Sequence, residues 1–259
     1  EYLWLDTNLR KALENDQLLI HYQPKVTWRG EVRGLEALVR WQSPERGLIP
    51  PLEFISYAEE SGLIVPLGRW VILDVIRQVA KWRDKGINLR VAVNISARQL
   101  ADQTIFTDLK RVLRELNFEY CPIDVELTER CLIENEELAL SVIQQFSQLG
   151  AQVHLDDFGT GYSSLSQLTR FPIDAIKLDQ IFVRDIHKKS VSQSMVRAIV
   201  AVAQALNLQV IAEGVESAKE DAFLTKNGVN ERQGFLFAKP MPAVAFERWY
   251  KRYLNKKKR

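Results

Sequence analysis

The alternation of strand and helix along this chain predicts an α/β fold, a (β/α)8 TIM-type barrel opened by an antiparallel hairpin. Eight strand candidates, mostly separated by helices, fall within 259 residues, which is the size and rhythm of that barrel. The first two are joined by a link too short for a parallel crossover. No Gly-rich phosphate fingerprint follows the first strand, which argues against a doubly wound open sheet.

Residues 3–15 pattern as an amphipathic helix, with Leu5, Leu9, Ala12 and Leu13 on one side. Residues 18–26 form a strand that Pro24 marks as an edge or a distortion. The turn WRGE leads into a second strand at 34–41. Helices at 51–60 and 67–83 precede a strand at 90–95. A helix at 106–116 and a strand at 123–127 come next, then a helix at 136–149 that Gly150 terminates. The stretch QVHLDDFGTGYSSL, 152–165, carries a strand at 153–156, breaks at Asp156 and Asp157, and enters a short helix at 163–168. Strands at 175–178 and 208–212 flank a long helix at 192–206. A helix at 217–226, a short strand at 231–233 and a helix from 243 to 254 complete the pattern. Neither a linker nor an internal repeat interrupts it, so residues 1–259 read as one domain.

The chain is 46% hydrophobic and 26% charged, ordinary for a globular protein with a sizeable core. A net charge of +2 leaves no broad footprint for DNA or RNA. Cys121 and Cys131 form neither a disulfide framework nor a metal spacing, which fits a reducing cytoplasm. The most apolar run, 63–76, contains Pro66, Arg69 and Asp74 and is no membrane span. No signal peptide is visible, and the opening EYLWL runs directly into a helix, as expected for a piece of a longer polypeptide. The basic end, 255–259, reads as a solvated tail.

Barrels of this type build their sites at the C-terminal ends of the strands, and here those ends are polar. Glu36, Leu38 and Arg40 share one face of the second strand. Later strands end in Asn94; in Glu126 with Glu129 beyond; in Asp156 and Asp157; in Lys177 and Asp179; in Glu213 with Glu216 beyond; and in Gln233. A barrel interior prefers Val, Ile and Leu, and isolated buried carboxylates are destabilising, so so many on one rim call for cations. All the donors are oxygens, which favours Mg²⁺ or Mn²⁺ over zinc. Glu36, Asn94, Glu126 and Asp156 are the candidate ligands of one ion. Asp156 bridges to a second, with Asp157 and Glu213 nearby. Two such ions suit in-line displacement at phosphorus, with Lys177 orienting water or stabilising phosphoryl charge and Arg40 binding a phosphate.

These residues stand in motifs that resemble the EAL domain, a cyclic di-GMP phosphodiesterase module. EALVR spans 36–40, with YQPK at 22–25, VNIS at 93–96 and ELTE at 126–129. DDFGTGYSSL follows at 156–165, KLD at 177–179, AEGVE at 212–216 and QGFLFAKP at 233–240. Arg130 and Val229 depart from the usual pattern without removing a ligand. The resemblance implies a barrel with an antiparallel first strand and hydrolysis of cyclic di-GMP to linear pGpG. It implies metal ligation by Glu36, Asn94, Glu126, Asp156 and Asp157, with Glu213 beside them. It puts Lys177 on the catalytic water with Asp179 in support, and Gln23, Arg40 and Gln233 on the dinucleotide, where Glu216 also falls. In the family, the loop 157–164, with Gly159 and Gly161, supports the metal site and dimer contacts, and Glu129 holds that loop in place. A homodimer and upstream GGDEF or sensory domains are further family expectations.

Simpler readings stand beside these. Glu36 and Arg40 can form a strand-face ion pair, Asn94 can cap a turn, and Glu216 can favour a helix dipole. His154 reads as a hydrogen-bonded core residue, and Gly159 and Gly161 as turn glycines. The rival to an enzyme is a cyclic di-GMP receptor or a protein-interaction module with little turnover.

Overall fold

A computed structural model of the chain describes residues 2–159 and 165–257. Its strands are β1 (Leu18–Thr27), β2 (Val32–Ser43), β3 (Gly47–Ile49), β4 (Arg90–Ile95) and β5 (Ile123–Thr128). They continue with β6 (Val153–Phe158), β7 (Ala175–Leu178), β8 (Gln209–Ala212), β9 (Glu231–Arg232) and β10 (Met241–Pro242). Around the sheet the order is β1-β2-β4-β5-β6-β7-β8-β9, and β9 pairs back onto β1, closing eight staves into a barrel. The pairings from β2 through β9 within the ring are parallel, whereas β1 is antiparallel to both β2 and β9. The cause is the short link: Thr27 N–H donates to the Glu31 carbonyl at 2.8 Å, and Gly30, at φ 72°, makes the turn.

The short strands β3 and β10 extend the ring at its margins, paired to β2 and β1. Two or three residues carry too little periodicity to be read from sequence. The helix expected from residue 67 begins earlier, as Ile64–Asp84, with Pro66 in its first turn. A first-turn residue has no intrahelical partner for its N–H, so proline costs nothing there. The single helix expected at 51–60 divides at Phe54 into a 3₁₀ turn, Pro51–Glu53, and a helix, Ile55–Ser61. The helix expected at 163–168 is Leu165–Arg170; the serine pair before it and Gly161 lie outside the described residues.

Outward strand residues and the surrounding helices bury one large apolar cluster, including Val91, Val93, Val125, Leu127, Val153 and Ile176. A smaller cluster seats the first helix, Tyr2–Glu14, through Leu5, Leu9 and Ala12 against Trp41, Ile49, Phe54 and Leu67. With the apolar residues turned outward, strand alternation leaves an ionic barrel interior. In β5 the inward set is Asp124, Glu126 and Thr128, with Asp124 and Glu126 buried. Among the described residues no helix is long and apolar enough to cross a membrane.

Candidate active site

Lys177, on β7, is fully buried at the centre of the site. Its Nζ lies 2.5 Å from Glu126 Oε2, 2.5 Å from Glu213 Oε1, 3.2 Å from Asp156 Oδ1 and 4.0 Å from Glu36 Oε1. These carboxylates come from β5, the end of β8, β6 and β2, so barrel closure is what assembles them. Burial works against the ammonium, yet Glu126, Glu213, Glu36 and Asp156 outweigh it and hold Lys177 well above its usual range.

The carboxylates respond differently to the same surroundings. Glu126 loses solvation by burial, but Lys177 and Lys25 overcome that cost and keep it ionised well below the ordinary value. Glu36 is raised, chiefly by burial. Glu213 is pushed up to about 8, again by burial first, with Lys177 opposing and Glu36, Asp156 and Glu126 adding repulsion. Asp157 rises to about 6 through burial and the charges of Asp156 and Asp179. Its backbone sits at φ 55°, with its N–H donating to Asp156 Oδ1 at 2.9 Å. Aspartate is among the residues that tolerate that left-handed conformation best.

Amides complete the rim. Asn94 Nδ2 donates to Glu36 Oε1 at 2.8 Å. Gln233 Nε2 donates to Glu36 Oε2 at 2.5 Å and to Gln23 Oε1 at 2.9 Å, and Gln23 Nε2 to the Ala238 carbonyl at 3.1 Å. The last stave of the ring, β9, ends at Arg232, so Gln233 is at its C-terminal end as expected, and residues 235–237 form no strand. A cleft of about 770 Å³ opens over Gln23, Glu36, Glu213 and Gln233, walled by Leu38, Asp179, Gln180, Glu216 and Phe235. A second, of about 1180 Å³, reaches Asn94, Glu126, Asp156 and Asp157 between apolar walls that include Leu38, Leu52, Ile55 and Leu67.

The remaining expected residues hold the periphery. Glu129 Oε1 accepts from the Gly159 N–H at 2.9 Å, the last described residue before the glycine-rich loop. The Asp179 side chain accepts from Ile181 N–H at 2.7 Å, capping the short helix Gln180–Val183. Arg40 is partly buried and gives Nη1 to the Val39 carbonyl at 2.8 Å, outside the residues lining either cleft. Glu216 lies in front of the Ser217–Glu220 capping box, where Glu220 Oε2 accepts its backbone N–H at 2.9 Å. His154 is a buried residue as expected; its Nδ1 lies 3.7 Å from Glu126 Oε1, beyond hydrogen-bond distance. The strand alternation that directs it inward leaves it beneath a carboxylate already taken by two lysines. One of those lysines, Lys25, received no role in the sequence reading. Its signal was available: it alternates with Gln23 on an apolar strand, so the two share a face.

The residues fit a divalent metal. Carboxylate oxygens of Glu36, Glu126 and Glu213 lie within 4.8 Å of one another. Around them four carboxylates face two ammonium groups, Lys25 and Lys177, and the donors are hard oxygens.

A family model described as "EAL domain" matches residues 6–240. The chain is 93% identical to the cyclic di-GMP phosphodiesterase PdeR of Escherichia coli K12 over 99% of its own length and 39% of that protein's. It is 42% identical to the bifunctional diguanylate cyclase/cyclic di-GMP phosphodiesterase MucR of Pseudomonas aeruginosa PAO1, over 94% of this chain and 36% of MucR. It thus spans well under half the length of either relative. Among solved structures, the P. aeruginosa MucR phosphodiesterase in complex with c-di-GMP superposes with a TM-score of 0.88 at 41% identity, covering 93% of this chain and 99% of that one. The P. aeruginosa FimX EAL domain bound to c-di-GMP gives 0.84 at 25% identity, covering 92% and 96%.

Proposed function

The chain belongs to the EAL domain family, and from that premise we propose that it hydrolyses one phosphodiester bond of cyclic di-GMP, releasing linear pGpG. The observation that carries the reading is the ring of Glu36, Glu126, Asp156 and Glu213 around Lys177 at the C-terminal mouth of the barrel. Four carboxylates from separate strands have no structural need to meet there. The likeness to MucR, solved with c-di-GMP bound, supports the choice of substrate.

Glu36, Asn94, Glu126 and Asp156 would hold one Mg²⁺ or Mn²⁺ ion, and Asp157, sharing Asp156, a second. Bound divalent ions bring the pKa of water towards neutrality and offset charge on the phosphoryl oxygens. Lys177, fixed by Glu213 and Glu126 at 2.5 Å each, orients the attacking water and stabilises charge developing on phosphorus-bound oxygen. Gln23, Gln233 and Glu216 line the cleft beside Glu36, where they would seat the dinucleotide, with Arg40 approaching it from outside that lining. Glu129 tethers the start of the loop that follows Asp157, with Gly159 in it, and Asp179, which caps the next short helix, supports Lys177. The same reading puts residues 1–259, as one EAL domain, behind further domains such as GGDEF in a homodimeric bacterial cytoplasmic protein. The greater length of the relatives supports the first part of that.

The test is incubation of the 259-residue chain with cyclic di-GMP and Mg²⁺ or Mn²⁺, with separation of the nucleotides. Conversion to pGpG is expected. Binding without conversion at stoichiometric enzyme, with both metals tried, would replace the enzyme by a receptor.

A further inference from the structure

Glu126 is gripped from both ends. Lys177 takes Oε2 at 2.5 Å, and Lys25, 2% exposed, takes Oε1 at 2.9 Å. The two lysines are not equivalent. Lys177 also lies within 4.0 Å of Glu213, Asp156 and Glu36, so it cannot by itself select one rotation of the Glu126 carboxylate. Lys25 makes its ion pair with Glu126 alone among the described residues.

The antiparallel first strand is what brings Lys25 there. Its register sets Gln23 opposite Glu36, at the rim, and Lys25 opposite Gly34, one inward position lower. Gly34 has no side chain to compete for the space, and a Cβ built on it would come 3.1 Å from the Arg90 carbonyl. A buried ammonium at this depth needs a carboxylate, and Glu126 supplies it.

We propose that Lys25 is a positioning residue: by holding Oε1 it fixes the Glu126 carboxylate so that Oε2 faces the metal-binding ring. The inference rests on the metal site of the proposed function. Groups that orient a metal ligand from behind commonly matter about 10–100-fold in metal affinity.

The test is Mn²⁺ binding to the metal-free 259-residue chain, read by calorimetry and by electron paramagnetic resonance, for wild type and Lys25→Met. Positioning predicts binding weaker by about tenfold or more in the variant, with turnover recovered at high Mn²⁺ and KM for the dinucleotide little changed. A role in charge balance alone predicts tighter binding, because one positive charge has left a negative ring. A role in packing alone predicts no change. Either of those two results overturns the proposal. If Lys25→Met does not fold, Lys25→Gln, one bond too short to reach Glu126, reads the same loss. Failure of both to fold would make Lys25 part of the fold and also overturn the proposal. A wild type that binds no Mn²⁺ would overturn the metal site itself rather than the assignment of Lys25.

Discussion

At Lys177 one ammonium meets four carboxylates, and the electrostatics of the rim turn on it. Removing one partner of a buried ion pair leaves uncompensated charge and costs about 3–5 kcal/mol. Lys177→Met is therefore expected to lose about that much stability in the metal-free chain, read from urea unfolding midpoints, and to recover part of it with Mn²⁺. Glu213 adds a pH dependence. Its carboxyl is raised from an ordinary value of 4.5 to about 8, so the folded chain keeps a proton that the unfolded chain has released. The stabilisation is complete below about 4.5 and is lost as pH rises towards 8, by at most about 1.4 kcal/mol per pH unit. Asp157, raised to about 6, acts in the same direction over a lower window. The metal-free chain should accordingly unfold at lower urea at pH 8 than at pH 5. Saturating Mn²⁺ should reverse that trend, because the ion binds the deprotonated carboxylates. Rising stability from pH 5 to 8 without metal would contradict the assignment.

The turn after β9 shows how an element places a residue. The Gln233 carbonyl accepts the Val215 N–H at 3.0 Å, and the Val215 carbonyl accepts the Leu236 N–H at 3.0 Å, so two backbones run in contact. A Cβ at Gly234 would stand 2.1 Å from the Val215 carbonyl oxygen and 2.3 Å from its nitrogen. Backbone cannot swing aside as a side chain can. Gly234→Ala is expected to cost about 1–3 kcal/mol or more, seen as a lowered unfolding temperature, and to raise KM through displacement of Gln233. The presence of most elements was legible in the sequence because strand and helix carry different apolar periods. Their ends were less legible. The helix expected from residue 67 starts at Ile64, with Pro66 in its first turn, while β3 and β10 carry no periodicity to detect.

For the whole molecule, the proposed metal site ties ion binding to barrel closure, because its carboxylates come from strands spread around the ring. Chelation with EDTA is expected to abolish turnover. Adding Mn²⁺ back should restore it and raise the unfolding temperature with metal concentration, following the mass action of a ligand that binds only the folded state. A concentration-independent unfolding temperature would place the metal elsewhere. The sequence by itself determined the barrel, the inward carboxylates and the oxygen-only donor set, since alternation assigns each side chain to a face and strand ends define the rim. Only the tertiary structure decided which of those groups meet: Lys177 among four carboxylates, Gln233 on Glu36, His154 without a hydrogen bond at Nδ1, and Lys25 behind Glu126. The physical reason is that side-chain direction is a local property of a strand. Distance across a closed barrel depends on the register of every strand between.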